Sequence, residues 1–529
     1  MEKGRRHEGE PQQPTGRRLA TGAGVTVGAT LLMGSTAQAA CTCTVDRLAD
    51  PTEGGHTTLR QAITSAEVPA NSGSTITFAS GLSGTITLGS QLPTINQATT
   101  IQGPGAGQLA ISGNDANPIL YLKGPTAGFS VGISGLTLSH GKSSRGSAIY
   151  SYNANVSVTN AVLSGNHAVN SGNGIGGAIS AYAQTGRLTV RDSTLSGNSS
   201  DGVGGAIYAT GTPIAVQGST LSGNQSADRG GAIGMDVPPQ ASTIENSTLT
   251  GNHTTGGRGG AVYSYSAQYG LTLSNTTVAG NSTPVAGGGV FAHGAFGGAP
   301  VVLHNSIIAG NNAPSGSDLG GAFNSAFSLI QSVAGATVND TVPGSDITGQ
   351  PAQLADLANN GGSTQTMKPA VSSPAIDKGA AFSTSADQRG LTRPFDFQEI
   401  PNSTAAGADG SDMGAVELQP SDLPSNAFTV GKLKGKKLKL SLSSEGTIEV
   451  ADAAAKSSSA VAAKAKKTLK PSSAKGGPGA IAVTLKLTKG AASKLRRAGK
   501  LKLRAAITFT PTGGLPSSKT AKLKLKAKK

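Results

Sequence analysis

Apolar and polar residues alternate along the middle of the chain inside an eleven-residue unit that returns six times. It reads VSVTNAVLSGN (156–166), LTVRDSTLSGN (188–198), IAVQGSTLSGN (214–224), STIENSTLTGN (242–252), LTLSNTTVAGN (271–281) and VVLHNSIIAGN (301–311). The third position is always Val, Ile or Leu, and the eighth is Leu, Val or Ile. Short strands with one inward apolar face and one outward polar face follow from that spacing. The closing residues Asn166, Asn198, Asn224, Asn252, Asn281 and Asn311 lie 32, 26, 28, 29 and 30 residues apart. That is the period of a solenoid coil.

Between the units stands a second recurrence, two glycines followed by a small and then a β-branched residue. It occupies 176–179, 204–207, 230–233, 259–262 and 287–290, with a degenerate Gly146-Ser147-Ala148-Ile149 before them. Glycine permits the positive φ of a sharp corner and lets one coil approach the next. The Gly-Asn closing each unit adds a bend, and asparagines stacked coil on coil can hydrogen-bond along the axis. The pattern predicts an all-β chain built on a parallel β-helix, with coils about 4.8 Å apart.

Outside the repeats, Leu59, Ala62 and Ile63 recur at helical spacing and predict a short amphipathic helix capping the first coil. After a Pro/Ser/Asp-containing linker the stretches 436–443, 446–450, 480–488, 500–510 and 520–527 alternate apolar residues with Lys, Ser or Thr. Period two there predicts a small β-sandwich with a lysine exterior. Residues 491–497 suit one or two helical turns. The expected organisation is a signal peptide (1–40), a cap (41–74), the β-helix (75–350), its closing module (351–418), a linker (419–430) and a Lys-rich sandwich (431–529).

Charge separates the last part from the rest. Residues 421–529 carry 25 basic and 4 acidic side chains, whereas 41–420 carry 13 and 21. A whole basic face attracts polyanions. With Trp absent and aromatics at 4%, the stacking on which single-stranded nucleic acid binding relies is missing, so nucleic acid is not the expected partner. At the N-terminus, Arg5, Arg6, Arg17 and Arg18 precede a weakly apolar run and a small-x-small ending at Ala37-Gln38-Ala39. Export with cleavage near Ala39 or Ala40 is expected, through a twin-arginine-like or a general secretory signal. No later run approaches the ~18 apolar residues of a membrane span. Cys41 and Cys43 sit at the expected mature N-terminus. A disulfide between residues this close is strained, which leaves an intermolecular bridge or two free thiols.

The segment 57–63 resembles the CSLREA-type N-terminal module of secreted bacterial β-helix proteins, with Thr57 where the motif has Cys and Gln61 where it has Glu. The Gly-Gly-Ala-Ile and Leu-Ser-Gly-Asn recurrences are similar to the repeats of polymorphic outer-membrane proteins. Residues 357–366, 373–377, 387–390, Arg393-Pro394 and 412–417 resemble a choice-of-anchor Q module. Together these resemblances cover about residues 45–420. They imply a right-handed parallel β-helix on an exported protein, with no chemistry attached. Read as residues, Arg389 and Arg393 among Asp377, Asp387, Asp396 and Asp412 suggest loops tied down by charge-assisted hydrogen bonds, with a calcium or ligand site as the alternative.

Parallel β-helices include pectin and alginate lyases and polygalacturonases, whose chemistry needs paired carboxylates or a base beside them. The acids between 131 and 330, Asp192, Asp201, Asp228, Asp236, Glu245 and Asp318, fall in different repeat columns. No catalytic set, metal-ligand pattern or cofactor motif emerges. The candidate ligand-binding pair is Arg229 and Arg258, on adjacent coils just before the Gly-Gly corner with Asp228 alongside. Two stacked arginines repel unless an anion lies between them, and an anionic glycan or cell-wall polymer fits. His167 and His253 stand three coils apart and cannot share a ligand. Tyr150, Tyr208, Tyr263 and Phe291 recur after the corner and read as packing. Two functions stay open: a monomeric, non-enzymatic surface protein retained by its basic domain, and a lyase or hydrolase acting on an acidic polysaccharide.

Overall fold

The structure, a computed structural model, describes residues 42–527 apart from 52–53, 125–127, 171–173, 184–185, 266–268, 295–297 and 454–466. The expected signal segment and Cys41 lie outside the described residues. Cys43 is disulfide-bonded, which corrects the reading of two free thiols.

Each coil is built from three main strands, and the coils between Lys142 and Thr254 add a fourth of two residues, such as Ser199–Ser200, in a separate five-stranded sheet. The strand after the Gly-Gly corner, such as Ile179–Tyr182, belongs to what we term sheet III; the next, such as Leu188–Arg191, to sheet I; and the next, such as Thr194–Ser196, to sheet II. Every strand pairs in parallel with its counterpart one coil away, as in Leu188↔Ile214 and Thr194↔Thr220. Sheet II has 11 strands, and sheets I and III merge into one of 19 strands. The merger runs through Leu319–Ala326, which pairs with both. The third and eighth positions of the repeat point inward as expected: Val190, Val216, Ile244, Leu195, Leu221 and Leu249 are buried.

The turn from sheet I to sheet II explains the fifth position of the repeat. Asn160, Asp192, Asn246, Asn275 and Asn305 there adopt φ between 45° and 50°, and Gly218 replaces them at 60°. Only Gly, Asn and Asp tolerate the left-handed region at small cost. The two corner glycines serve different ends. Gly259 needs its φ of 73°, whereas a Cβ at Gly260 would collide with the carbonyl oxygen of Gly288 on the next coil.

The asparagine file runs along the axis. Asn166 Nδ2 donates to Asn198 Oδ1 at 2.9 Å, Asn198 to Asn224 at 2.9 Å, Asn224 to Asn252 at 2.8 Å, Asn252 to Asn281 at 2.9 Å, and Asn281 to Asn311 at 2.9 Å. Each Oδ1 also accepts the backbone N–H of the preceding rung, as Asn224 Oδ1 does from Asn198 at 3.0 Å. The last rung is an aspartate: Asp318 Oδ1 accepts from Asn311 N and Nδ2, and its Oδ2 accepts from Ser332 N.

Helix α1 (Leu59–Ala66) caps the first coils, with Thr58 as N-cap in a capping box with Gln61 and Leu59, Ala62, Ile63 and Ala66 buried. Among the described residues no helix is long and apolar enough to cross a membrane. The segment 351–418 turns back over the outside of sheet II. Gln388 Nε2 donates to Thr220 Oγ1, Thr248 Oγ1 donates to Gln388 Oε1, and Asn305 Nδ2 donates to the Asp412 carbonyl. The C-terminal domain folds as antiparallel sheets with strand orders Phe428–Lys434, Lys437–Leu442, Gly479–Thr484 and Ser472–Gly476, Gly446–Asp452, Lys500–Pro511, Ser517–Lys526. Their inner faces share a core that includes Phe428, Leu440, Ile448, Ile507 and Phe509. Phe428 lies in the stretch read as linker and begins a strand there, its ring edge-on to Phe509 at 6.1 Å. Helix α2 (Lys489–Ala498), capped by Thr488 and closed by Gly499, packs Ala491 and Leu495 inward.

Candidate functional sites on sheet III and the basic sandwich

Along sheet III the first and third residues of each strand face the core. The second and fourth therefore face out. The second positions form the file Tyr121, Tyr150, Ser180, Tyr208, Gly234, Tyr263, Phe291, Gly320. The fourth positions form the file Lys123, Tyr152, Tyr182, Thr210, Asp236, Tyr265, His293. Seven of the eight tyrosines of the chain thus stand on one outer face.

Rings on neighbouring coils stack on each other. Tyr121 and Tyr150 lie 4.8 Å apart, Tyr152 and Tyr182 5.4 Å, and Tyr263 and Phe291 5.9 Å with planes 2° from parallel. Stacking along the axis covers the faces of inner rings, and Tyr150 and Tyr263 are buried. A ring face opens where a stack ends. Tyr182 ends one, with Thr210 as its neighbour on the next coil, and it is 41% exposed.

Arg229 and Arg258 do lie on adjacent coils, since Gly204 N donates to the Arg229 carbonyl and Gly230 N to that of Arg258. Their guanidinium groups are placed over rings rather than over each other. Arg229 Cζ is 4.9 Å from the centre of Tyr263, and Arg258 Cζ is 5.0 Å from that of Phe291. Aromatic quadrupoles thus offset the repulsion that the sequence reading assigned to a bound anion. Arg229 Nε also pairs with Asp228 Oδ2 at 2.9 Å, and its NH1 donates to the Tyr263 hydroxyl at 3.4 Å. Arg145 occupies the same column three coils earlier, through the bridges Arg145↔Ile175↔Val203. Its degenerate Gly-Ser corner hid it in the sequence. The Tyr208 hydroxyl donates to Asp236 Oδ2 at 2.8 Å. Burial and that carboxylate push the phenol upward, so it remains a neutral donor.

Of the remaining acids, Asp318 closes the asparagine file and Asp201 meets a histidine. His167 Nε2 lies 3.1 Å from Asp201, and His167 and His253 are separated in their file by Ser199 and Gln225. In the returning segment, Arg389 pairs with Asp387 at 2.9 Å and with Asp422 at 2.9 Å, and donates to the Glu417 carbonyl at 2.6 Å. Arg393 pairs with Glu417 at 3.0 Å and donates to Asn275 Oδ1 at 2.5 Å. These arginines tie the segment to itself and to the coils. Among the described residues no group of three His, Cys, Asp or Glu side chains is placed to hold a metal ion.

The second surface belongs to the sandwich. Lys500 faces Lys526, Lys502 faces Lys524, and Arg504 faces Lys522 across one antiparallel ladder, while Leu501, Leu503, Leu523 and Leu525 alternate into the core. None of the six cations pairs with a carboxylate among the described residues; the domain's ion pair, Lys475–Glu445, lies elsewhere. Like charges directly opposite destabilise a sheet by several tenths of a kcal/mol per pair, roughly 0.2–1.

No family model matches the chain, and no curated protein sequence matches it. Among solved structures it is similar to one described as a PL6 family alginate lyase, AlyGC, at 12% sequence identity and a TM-score of 0.25. The match covers 73% of this chain and 60% of that one, so the chain spans less than two thirds of that protein's length.

Proposed function

We propose that the protein is exported and held at the cell surface, where the outer face of sheet III binds an acidic polysaccharide and the basic sandwich holds the chain on polyanions. The observation that carries this reading is the outer face of sheet III, where tyrosines line up coil on coil, Tyr182 is exposed at the end of its stack and the exposed Arg258 lies over Phe291. Phenol hydroxyls match sugar hydroxyls, and a guanidinium recognises a uronate carboxylate through two parallel hydrogen bonds. The open ring face of Tyr182 offers an apolar platform for a sugar ring. The opposed lysines support the second half of the reading, because their mutual repulsion costs stability until a polyanion neutralises it. The N-terminal signal and the resemblance to choice-of-anchor Q modules fit the same placement.

Binding of the full-length protein to polygalacturonate, alginate and neutral dextran tests it. The acidic polymers are expected to bind and dextran to stay unbound, and Arg258→Ala is expected to weaken binding about ten-fold, as loss of a charge-assisted contact of ~1.5 kcal/mol requires. Equal affinity for dextran, or no binding at all, overturns the reading. Release of unsaturated uronates or new reducing ends in the same mixtures supports a polysaccharide lyase or glycoside hydrolase instead.

A further inference from the structure

The sandwich is open at one end. There the Lys434–Lys437 turn, the end of the last strand and helix α2 surround a cavity of about 700 Å³. Its floor is apolar: Leu487 and Ala492 are half-buried, and Leu495 and Leu525 belong to the core. Its rim is cationic. Lys434, Lys436, Lys437, Arg496 and Lys526 all line it, all are exposed, and none pairs with a carboxylate among the described residues.

The two halves of this site ask for different things. Rim cations attract any anion, including the soluble polymers that the opposed lysines on the neighbouring strands would take. A hydrophilic polymer, however, leaves the half-buried Leu487 and Ala492 in contact with water. An amphiphile satisfies both halves, because an acyl chain dehydrates the floor while an anionic head neutralises the rim. The volume lies within the range of pockets that enclose a small ligand, about 300–1,000 Å³.

We propose that this cavity is a binding site for an anionic membrane lipid, with the acyl chain against Leu487, Ala492, Leu495 and Leu525 and the headgroup phosphate among the rim cations. It deepens the polyanion-retention reading by giving the sandwich a second, lipid-directed contact. Its basis is the cavity and its charge, independent of the aromatic face on the β-helix.

The test uses full-length protein and short-chain phosphatidylglycerol kept below its micellar concentration, with short-chain phosphatidylcholine and glycerol phosphate as comparisons. Phosphatidylglycerol is expected to bind at least about ten-fold tighter than either, because only it offers both chain and negative charge. Ala492→Phe fills the cavity and is expected to lower that affinity about ten-fold while binding of soluble polyphosphate stays unchanged. Should Ala492→Phe lower the thermal midpoint, Leu487→Asn is read in its place. Lys502→Glu with Lys522→Glu is expected to do the reverse, weakening polyphosphate and sparing the lipid, so failure of the retention reading and failure of the lipid site show separately. Equal binding of phosphatidylcholine or of glycerol phosphate overturns the proposal, as does unchanged lipid affinity in both cavity variants.

Discussion

Replacing Asn224 by alanine removes one rung from the middle of the asparagine file. The side chain is fully buried and makes four hydrogen bonds: Nδ2 to the Leu195 carbonyl at 3.0 Å and to Asn252 Oδ1 at 2.8 Å, and Oδ1 from Asn198 N at 3.0 Å and Nδ2 at 2.9 Å. Asn252 Oδ1 keeps the Asn224 backbone N–H at 3.0 Å, and Asn198 Nδ2 keeps the Leu163 carbonyl at 3.0 Å. The Asn198 backbone N–H loses the side-chain acceptor that holds it. Leaving buried partners unsatisfied costs about 1–3 kcal/mol each, so a total of ~4 kcal/mol is expected. A water entering the vacated space lowers that toward ~2 kcal/mol if it finds two or more of these partners. Urea unfolding followed by far-ultraviolet circular dichroism measures it, with Ser222→Ala on the same coil as the surface control, expected within about 0.5 kcal/mol of wild type. A loss below ~1 kcal/mol, indistinguishable from the control, would refute the claim that the file holds the coils in register.

Gly260→Ala is expected to destabilise by about 3 kcal/mol, since its Cβ meets the Gly288 backbone and neither coil can yield; the thermal midpoint reports it. Lys502→Glu places an acid opposite Lys524, and is expected to raise stability by roughly 0.2–1 kcal/mol while weakening retention on polyphosphate beads. Burial pushes the Asp377 carboxyl up to about 7, and burial likewise raises Asp412 and Glu417. Asp377, whose Oδ1 accepts no hydrogen bond, holds a proton in the folded chain that the unfolded chain releases. Its contribution is therefore full below the ordinary carboxylate range and falls by about 1.4 kcal/mol per pH unit as pH rises toward 7. Urea midpoints at pH 5 above those at pH 8, with Asp377→Asn flattening the difference, check it.

The solenoid was legible because its determinants repeat. Inward aliphatics, corner glycines and ladder asparagines recur at one interval, and each has a local reason that survives without knowledge of distant residues. The returning segment 351–418 has no such interval. Its contacts join residues as far apart as Gln388 and Ser219, and nothing periodic marks where a loop of buried arginines will lie. The ladder's last rung, Asp318, escaped because it comes from the following corner and not from the eleven-residue unit. Arg229 and Arg258 were placed on adjacent coils from their spacing alone, but the rings beneath them were not. Tyr263 and Phe291 read as packing residues, and Tyr263 is buried against Phe291 and Arg229, although the period-two parity of Tyr-Ser-Tyr at 150–152 and 263–265 turns both tyrosines to the outer face. Burial of an outward ring by an arginine from the preceding corner is a three-dimensional fact that no spacing encodes.

Tyrosine nitration of the full-length protein, with the modified residues mapped in the presence and absence of polygalacturonate, tests the glycan face most directly. Tyr182, with its open ring face, is expected to react readily alone and to be protected as the polymer saturates, while neutral dextran leaves it reactive. Saturating polygalacturonate binding with Tyr182 nitrated at its original rate would place the glycan elsewhere and contradict the account.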